Sequence, residues 1–270
     1  MSIALAYADA VLALVKRDAR VYLSYRFRFV SQTLGALFSV TLFYYISRLI
    51  TVGTFRAPDA YFSYAVVGLV ILEVLVSTVS VLPGRVRQEL VAGTFEKVIL
   101  SPFGAVAGIA AMTIFPFLLA LFTGVVTIAF AVVVFGMDLR WPTAPLSIPL
   151  AFVGGLAFLA FALLIAGAVI VFKQAQAGVG FLATFISLIG GFFFPIALLP
   201  PWIQWLSRAQ PFTPTLALLR NVLVGTPLQG SPWLALLKIV LWAIVLLPTA
   251  AWALGRAVKS AQRRGTIIEY

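Results

Sequence analysis

"YFSYAVVGLVILEVLVSTVSVL", residues 61–82, runs for 22 residues with one charge, Glu73. About 20 apolar residues are what an α-helix needs to cross a hydrocarbon core of about 30 Å. The stretch therefore reads as a membrane span, and the composition agrees. The chain is 63% hydrophobic and 10% charged, with mean hydropathy +1.10, too apolar for a globule with a wetted polar surface. Further apolar runs lie at 30–50, 106–135, 146–172, 178–199 and 234–255. The expected fold is an all-α integral membrane domain over residues 1–270 with six transmembrane helices, since the length leaves room for little else.

Cysteine and histidine are absent. Disulfides, thiol nucleophiles, imidazole bases and the usual soft-metal ligands go with them. The formal charge of +11 would suggest nucleic acid in a soluble chain. Here the cations sit at the ends of apolar segments, where membrane lipids and the insertion machinery account for them, so no nucleic-acid partner is expected.

Residues 1–28 precede the first span. Their apolar part is followed, not preceded, by Lys16, Arg17 and Arg20, the wrong order for a signal peptide. On a helical wheel Asp9, Lys16, Arg17 and Arg20 share one side, while Ile3, Tyr7, Val11, Leu14 and Tyr22 share the other. Asp18 is the one breach. The pattern is that of an amphipathic helix lying in the membrane surface. Placing the N-terminus inside puts 13 of the 19 Lys and Arg residues on the cytoplasmic side, so both termini, including the tail 256–270, are expected there. Arg56 and Lys173 fall on opposite sides in this arrangement.

Two connections are more than turns. In "RVRQELVAGTFEKVILSP", residues 85–102, Pro83 and Gly84 are expected to end span two and Gly93 to end two helical turns. Thr94 then caps a second short helix that Ser101 and Pro102 stop. This cytoplasmic elbow mixes Phe95, Val98 and Ile99 with Arg87, Glu89, Glu96 and Lys97, a pattern that suits contact with headgroups and a soluble partner. Residues 190–233 carry seven prolines. Their apolar pieces, "WIQWLSRAQ" and "TLALLRNVLVG", are about 14 to 17 Å long, too short to cross, and read as half-helices re-entering from the outer side. Trp202, Trp205 and Trp233 would anchor them at that surface.

In order and spacing, these features resemble the permease subunits of ABC-2 type ATP-binding cassette exporters. The resemblance rests on the N-terminal helix, the six spans, "QELVAGTFEKVILSP", "GGFFFPIALLPPW", "PFTPTLALLRNVLVG" and the basic "AQRRG" tail. It implies a bacterial or archaeal cytoplasmic membrane and a pairing with a second copy or a paralogous permease. It also implies that residues 85–101 act as a coupling helix in a groove of a separate ATPase, through Arg87, Glu89, Thr94, Phe95, Glu96 and Lys97. Phe95 is the expected apolar knob. No G-x-x-x-x-G-K-[ST] phosphate loop occurs, so ATP and Mg are expected on that partner, with no cofactor and no catalytic residue on this chain.

Other classes fare worse. A secondary transporter wants ionisable groups at midplane and paired halves; only Glu73 is clearly intramembrane and no repeat is seen. A membrane enzyme wants more than Asp138 with Arg140. The expected cargo is an amphiphilic or lipid-like compound or drug, with lipid-linked polysaccharide as the alternative. Glu73, Phe192, Phe193, Phe194 and Arg220 are candidates for the pathway or bundle interior. Glu73 is expected to be hydrogen-bonded there, and Arg220 to snorkel to the outer surface.

Overall fold

The computed structural model describes residues 3–49, 55, 57–99, 104–172 and 176–264. These residues are all helix and turn, with no strand. The helices are α1 (Ile3–Ser24), α2 (Arg26–Leu49), α3 (Pro58–Val91), α4 (Phe95–Ile99), α5 (Gly104–Ala111) and α6 (Ile114–Phe135). Then come α7 (Ser147–Phe172), α8 (Gln176–Ile189), α9 (Pro201–Ala209), α10 (Phe212–Val224) and α11 (Pro232–Arg263). Among the described residues, four stretches are long and apolar enough to cross a membrane: Pro58–Val91, Gly104–Phe135, Ala144–Phe172 and Pro232–Arg263. Shorter apolar helices accompany them, as befits an integral membrane protein.

The central helix is α3, packed against α2, α6, α7, α8 and α10. It runs parallel to α7: Val67 and Ile71 share a core cluster with Phe158, whereas Leu82, Val86 and Leu90 share one with Leu163, Ala166 and Ile170. Parallel to both is α11, whose Leu254 and Ala257 lie against Gly167. The opposite sense belongs to α6, since Gly124 faces Val70 while Ala131 clusters with Phe62 and Val66. The C-terminal ends of α3, α7 and α11 thus meet at one end of the bundle, with α4 and α5. At the other end, α9 and α10 form a cap.

Three elements depart from the sequence expectation. Pro83 and Gly84 do not break α3, which continues to Val91. A proline removes one ladder bond, but Leu82, Val86 and Leu90 are buried on its two sides and keep the helix in register with the core. The third run is not one helix: α5 and α6 are separated at Met112 and Thr113. Pro116 has no N–H for the Met112 carbonyl four residues back, and the chain turns there. The fifth run, expected to span 178–199, stops as helix at Ile189, so α8 is only about 21 Å long. Gly190 and Gly191 turn the chain, Gly191 in the left-handed region at φ 76°, and Phe192–Phe194 follow as bends.

The two cap pieces form α9, 9 residues, and α10, 13 residues, bounded by Pro200, Pro201 and Pro211. The expected helix stop at Ser101 and Pro102, together with Arg56, Lys173 and residues 265–270, lies outside the described residues. So do the side chains of Ile3, Tyr7, Arg26 and Arg28.

Candidate functional site

At the elbow, Gly93 adopts φ 67°, a conformation that favours glycine, and reverses the chain between α3 and α4. Thr94, at the start of α4, is turned back toward α3. Its backbone N–H donates to the Glu89 carbonyl at 3.0 Å, and its hydroxyl donates to the Glu89 carboxylate. The elbow is thereby tied back onto α3.

Phe95, expected to point outward as a knob, points inward instead. It is 1% exposed, in one cluster with Leu82, Val86, Leu90, Ile109, Met112, Leu254 and Val258. A ring buried in its own bundle cannot also enter a partner's groove. It fixes α4 to the C-terminal ends of α3 and α11 and to the α5–α6 break. The outward surface consists of Arg87, Gln88, Val91, Glu96 and Lys97, all exposed, with Glu89 half-buried. Val91, at 63% exposure, is the apolar side chain presented there.

Behind the elbow lies a buried ionic contact that the sequence reading missed. Asp18 of α1, 8% exposed, accepts a hydrogen bond from Nη1 of Arg85 on α3, and Arg17 binds the other carboxylate oxygen at 3.0 Å. Arg85 Nη1 also donates to the Met112 carbonyl at 3.1 Å. That is the acceptor that Pro116 leaves without its helical donor. One guanidinium thus joins α1, α3 and the α5–α6 break. The signal in the sequence was the Asp18 breach in an otherwise clean amphipathic wheel.

A second polar path runs from the same helix. The Tyr22 hydroxyl of α1 donates to Gln32 Oε1 of α2 at 3.0 Å. Glu73 on α3 is half-buried.

At the cap end, Arg220 of α10 does not snorkel. It is 3% exposed, and its guanidinium lies 3.3 Å from the centroid of the Tyr64 ring. Nε donates to the Tyr64 carbonyl at 3.1 Å, Nη1 to Gly191 at 2.8 Å and Nη2 to Phe192 at 2.7 Å. The Tyr64 hydroxyl closes the cage by donating to the Gly191 carbonyl at 3.1 Å. Among the described residues no carboxylate pairs with Arg220, so backbone dipoles hold the cation. The bend after α8 is tied in this way to α3 and α10. Gly68 makes the approach possible: a Cβ there would lie 1.9 Å from the Phe192 oxygen. Of the three phenylalanines, Phe192 is a core residue at 0% exposure, Phe193 stacks on Phe43 of α2 at 5.9 Å, and Phe194 is half-buried.

The arrangement is a transmembrane bundle with an anchored elbow at one end and a stapled half-helical cap at the other. The family model of the ABC-2 type transporter matches residues 9–224, from α1 through the elbow to the last residue of α10. The chain belongs to that family. A search of the curated proteins finds no match. As an ABC-2 chain it is a membrane permease of an ABC transporter, in a family whose members are in general permeases rather than catalytic units and generally work with an ATPase partner.

Proposed function

We propose that the ABC-2 chain is one of two permease subunits of an exporter that moves an amphiphilic or lipid-like compound or drug out of the cytoplasm or the inner leaflet. In this reading a separate ATPase, binding ATP and Mg, seats on the elbow. The observation that carries it is the build of that elbow. Phe95 locks α4 into the core shared by α3, α7 and α11. Arg87, Val91, Glu96 and Lys97 face outward on the same rigid piece. A force applied to α4 is therefore delivered to three long helices at once. An apolar residue ringed by charges of both signs is suited to a specific protein contact.

Six passes, with both termini in the cytoplasm, fit the alternating helix directions. In this topology α8 and the stapled cap together make the fifth pass. The positive side is then the elbow side, which carries Arg85, Arg87, Lys97 and the basic end of α11. A second copy, or a paralogous permease, would lie along α2 and α8, whose exposed apolar side chains include Phe38 and Phe181.

Affinity purification from the native membrane tests the reading. The wild-type chain should bring a phosphate-loop ATPase with it, and Glu96→Lys combined with Lys97→Glu should lose it while remaining folded. Undiminished ATPase recovery with the double reversal would show that the elbow is not the seat.

A further inference from the structure

Between the C-terminal halves of α7 and α11 lies an open cleft of about 810 Å³. The two helices touch where Gly167 meets Leu254 and Ala257, the absent side chain bringing the backbones together. Alongside that contact, Gly167, Ala168 and Val171 form an apolar wall, continued by Phe172. The facing wall on α11 carries Arg256, Lys259 and Arg263, with Arg264 at the end. Spacings of three and four residues put Arg256, Lys259 and Arg263 on one face of the helix.

All four cations are exposed, and among the described residues none of them makes an ion pair. Arg256 instead stacks on the ring of Trp252, 4.5 Å from its centroid. Among the described residues the lining includes no acidic side chain. The cleft opens at the elbow end of the bundle, where apolar transmembrane helices pass into a charged terminus. One wall therefore suits hydrocarbon and the other suits several negative oxygens. Clusters of four or more Lys and Arg just beyond a membrane span bind anionic lipid electrostatically. This cluster adds a slot of defined shape.

We propose that the α7–α11 cleft is a binding site for an anionic glycerophospholipid of the adjoining leaflet. The phosphate sits among Lys259, Arg263 and Arg264, and an acyl chain lies along Ala168 and Val171. Arg256, at the cleft wall one turn deeper, is held on the Trp252 ring. The proposal rests on the membrane reading alone, not on an ATPase or a cargo. It stands or falls independently of the elbow.

The test is native mass spectrometry of the purified full chain released from mixed micelles of phosphatidylglycerol and phosphatidylcholine. Wild type should retain one phosphatidylglycerol per chain in preference to phosphatidylcholine. Lys259→Gln with Arg263→Gln, both exposed and expected to fold, should weaken retention about thirtyfold. Ala168→Phe keeps every charge but fills the apolar slot, and should also weaken it. Equal retention of the two lipids by wild type, which needs no variant, would overturn the proposal. So would full retention by Ala168→Phe, which would mean a diffuse charge effect. Displacement of the lipid by millimolar inorganic phosphate would assign the cations to a free anion and overturn it equally.

Discussion

Replacing Arg220 by Met removes the guanidinium and keeps most of the volume of its stem. Three carbonyls lose a donor, but not equally. The Tyr64 carbonyl lies inside α3, whose helical ladder supplies its own N–H. The Gly191 carbonyl keeps the Tyr64 hydroxyl at 3.1 Å. The Phe192 carbonyl, 2.7 Å from Nη2, is left buried without that partner. An unpaired buried carbonyl costs about 1–3 kcal/mol. Loss of the cation over the Tyr64 ring adds about 0.5–2 kcal/mol. Against this stands the desolvation of a cation that no carboxylate compensates, which the substitution relieves. A net loss of about 2 kcal/mol follows, or about 4–8 °C in the melting midpoint of a chain this size. The assay is thermal unfolding of purified Arg220→Met in detergent, followed by the loss of the monodisperse size-exclusion peak. A midpoint equal to or above wild type would refute the reasoning, because the desolvation term would then outweigh the carbonyl cage.

Gly68→Ala should be more damaging than Arg220→Met, since its methyl would sit 1.9 Å from a backbone oxygen and 2.7 Å from Nη2 of Arg220. A loss above about 3 kcal/mol is expected in the same melt. Phe95→Ala should cost about 3–5 kcal/mol through a cavity beneath the elbow. Its lower midpoint, measured on the chain without any partner, distinguishes a core role from a surface role. Asp18→Asn should weaken the anchoring of α1 by about 2 kcal/mol. Limited proteolysis should then cut α1 faster while the cuts within α6 and α7 stay unchanged.

The helices were legible where apolar length or proline chemistry decided them. Seven prolines over residues 190–233 mark α9 and α10 because the ring forbids a continuous ladder. Gly93 marks the elbow because the turn needs a positive φ. The same rule misled at Pro83, where burial on both sides holds α3 together despite the missing bond. Apolar length alone also overextended the fifth run, since "FFFP" is as greasy in a bend as in a helix.

Side-chain direction was harder to read. In α4, 5 residues long, periodicity cannot say which face meets the core, and Phe95 turned inward. Arg220 reads as a snorkelling cation because its acceptors are carbonyls up to 156 positions away along the chain, and carbonyls carry no residue signature. The Asp18 to Arg85 contact spans 67 positions, and only the breach in the α1 wheel hinted at it. Glu73 stood out as a costly acid within an apolar run, and the structure leaves it half-buried on α3.

The absence of cysteine makes the central claim directly measurable, because any introduced thiol is the only one in the chain. A photoactivatable cross-linker can be attached at Val91→Cys on the elbow or at Trp202→Cys on the cap, both exposed positions. It is then fired in native membranes. Capture of an ATP-binding chain from Val91→Cys, with none from Trp202→Cys, is the predicted result. Capture from Trp202→Cys with none from Val91→Cys would contradict both the orientation and the elbow as the ATPase seat.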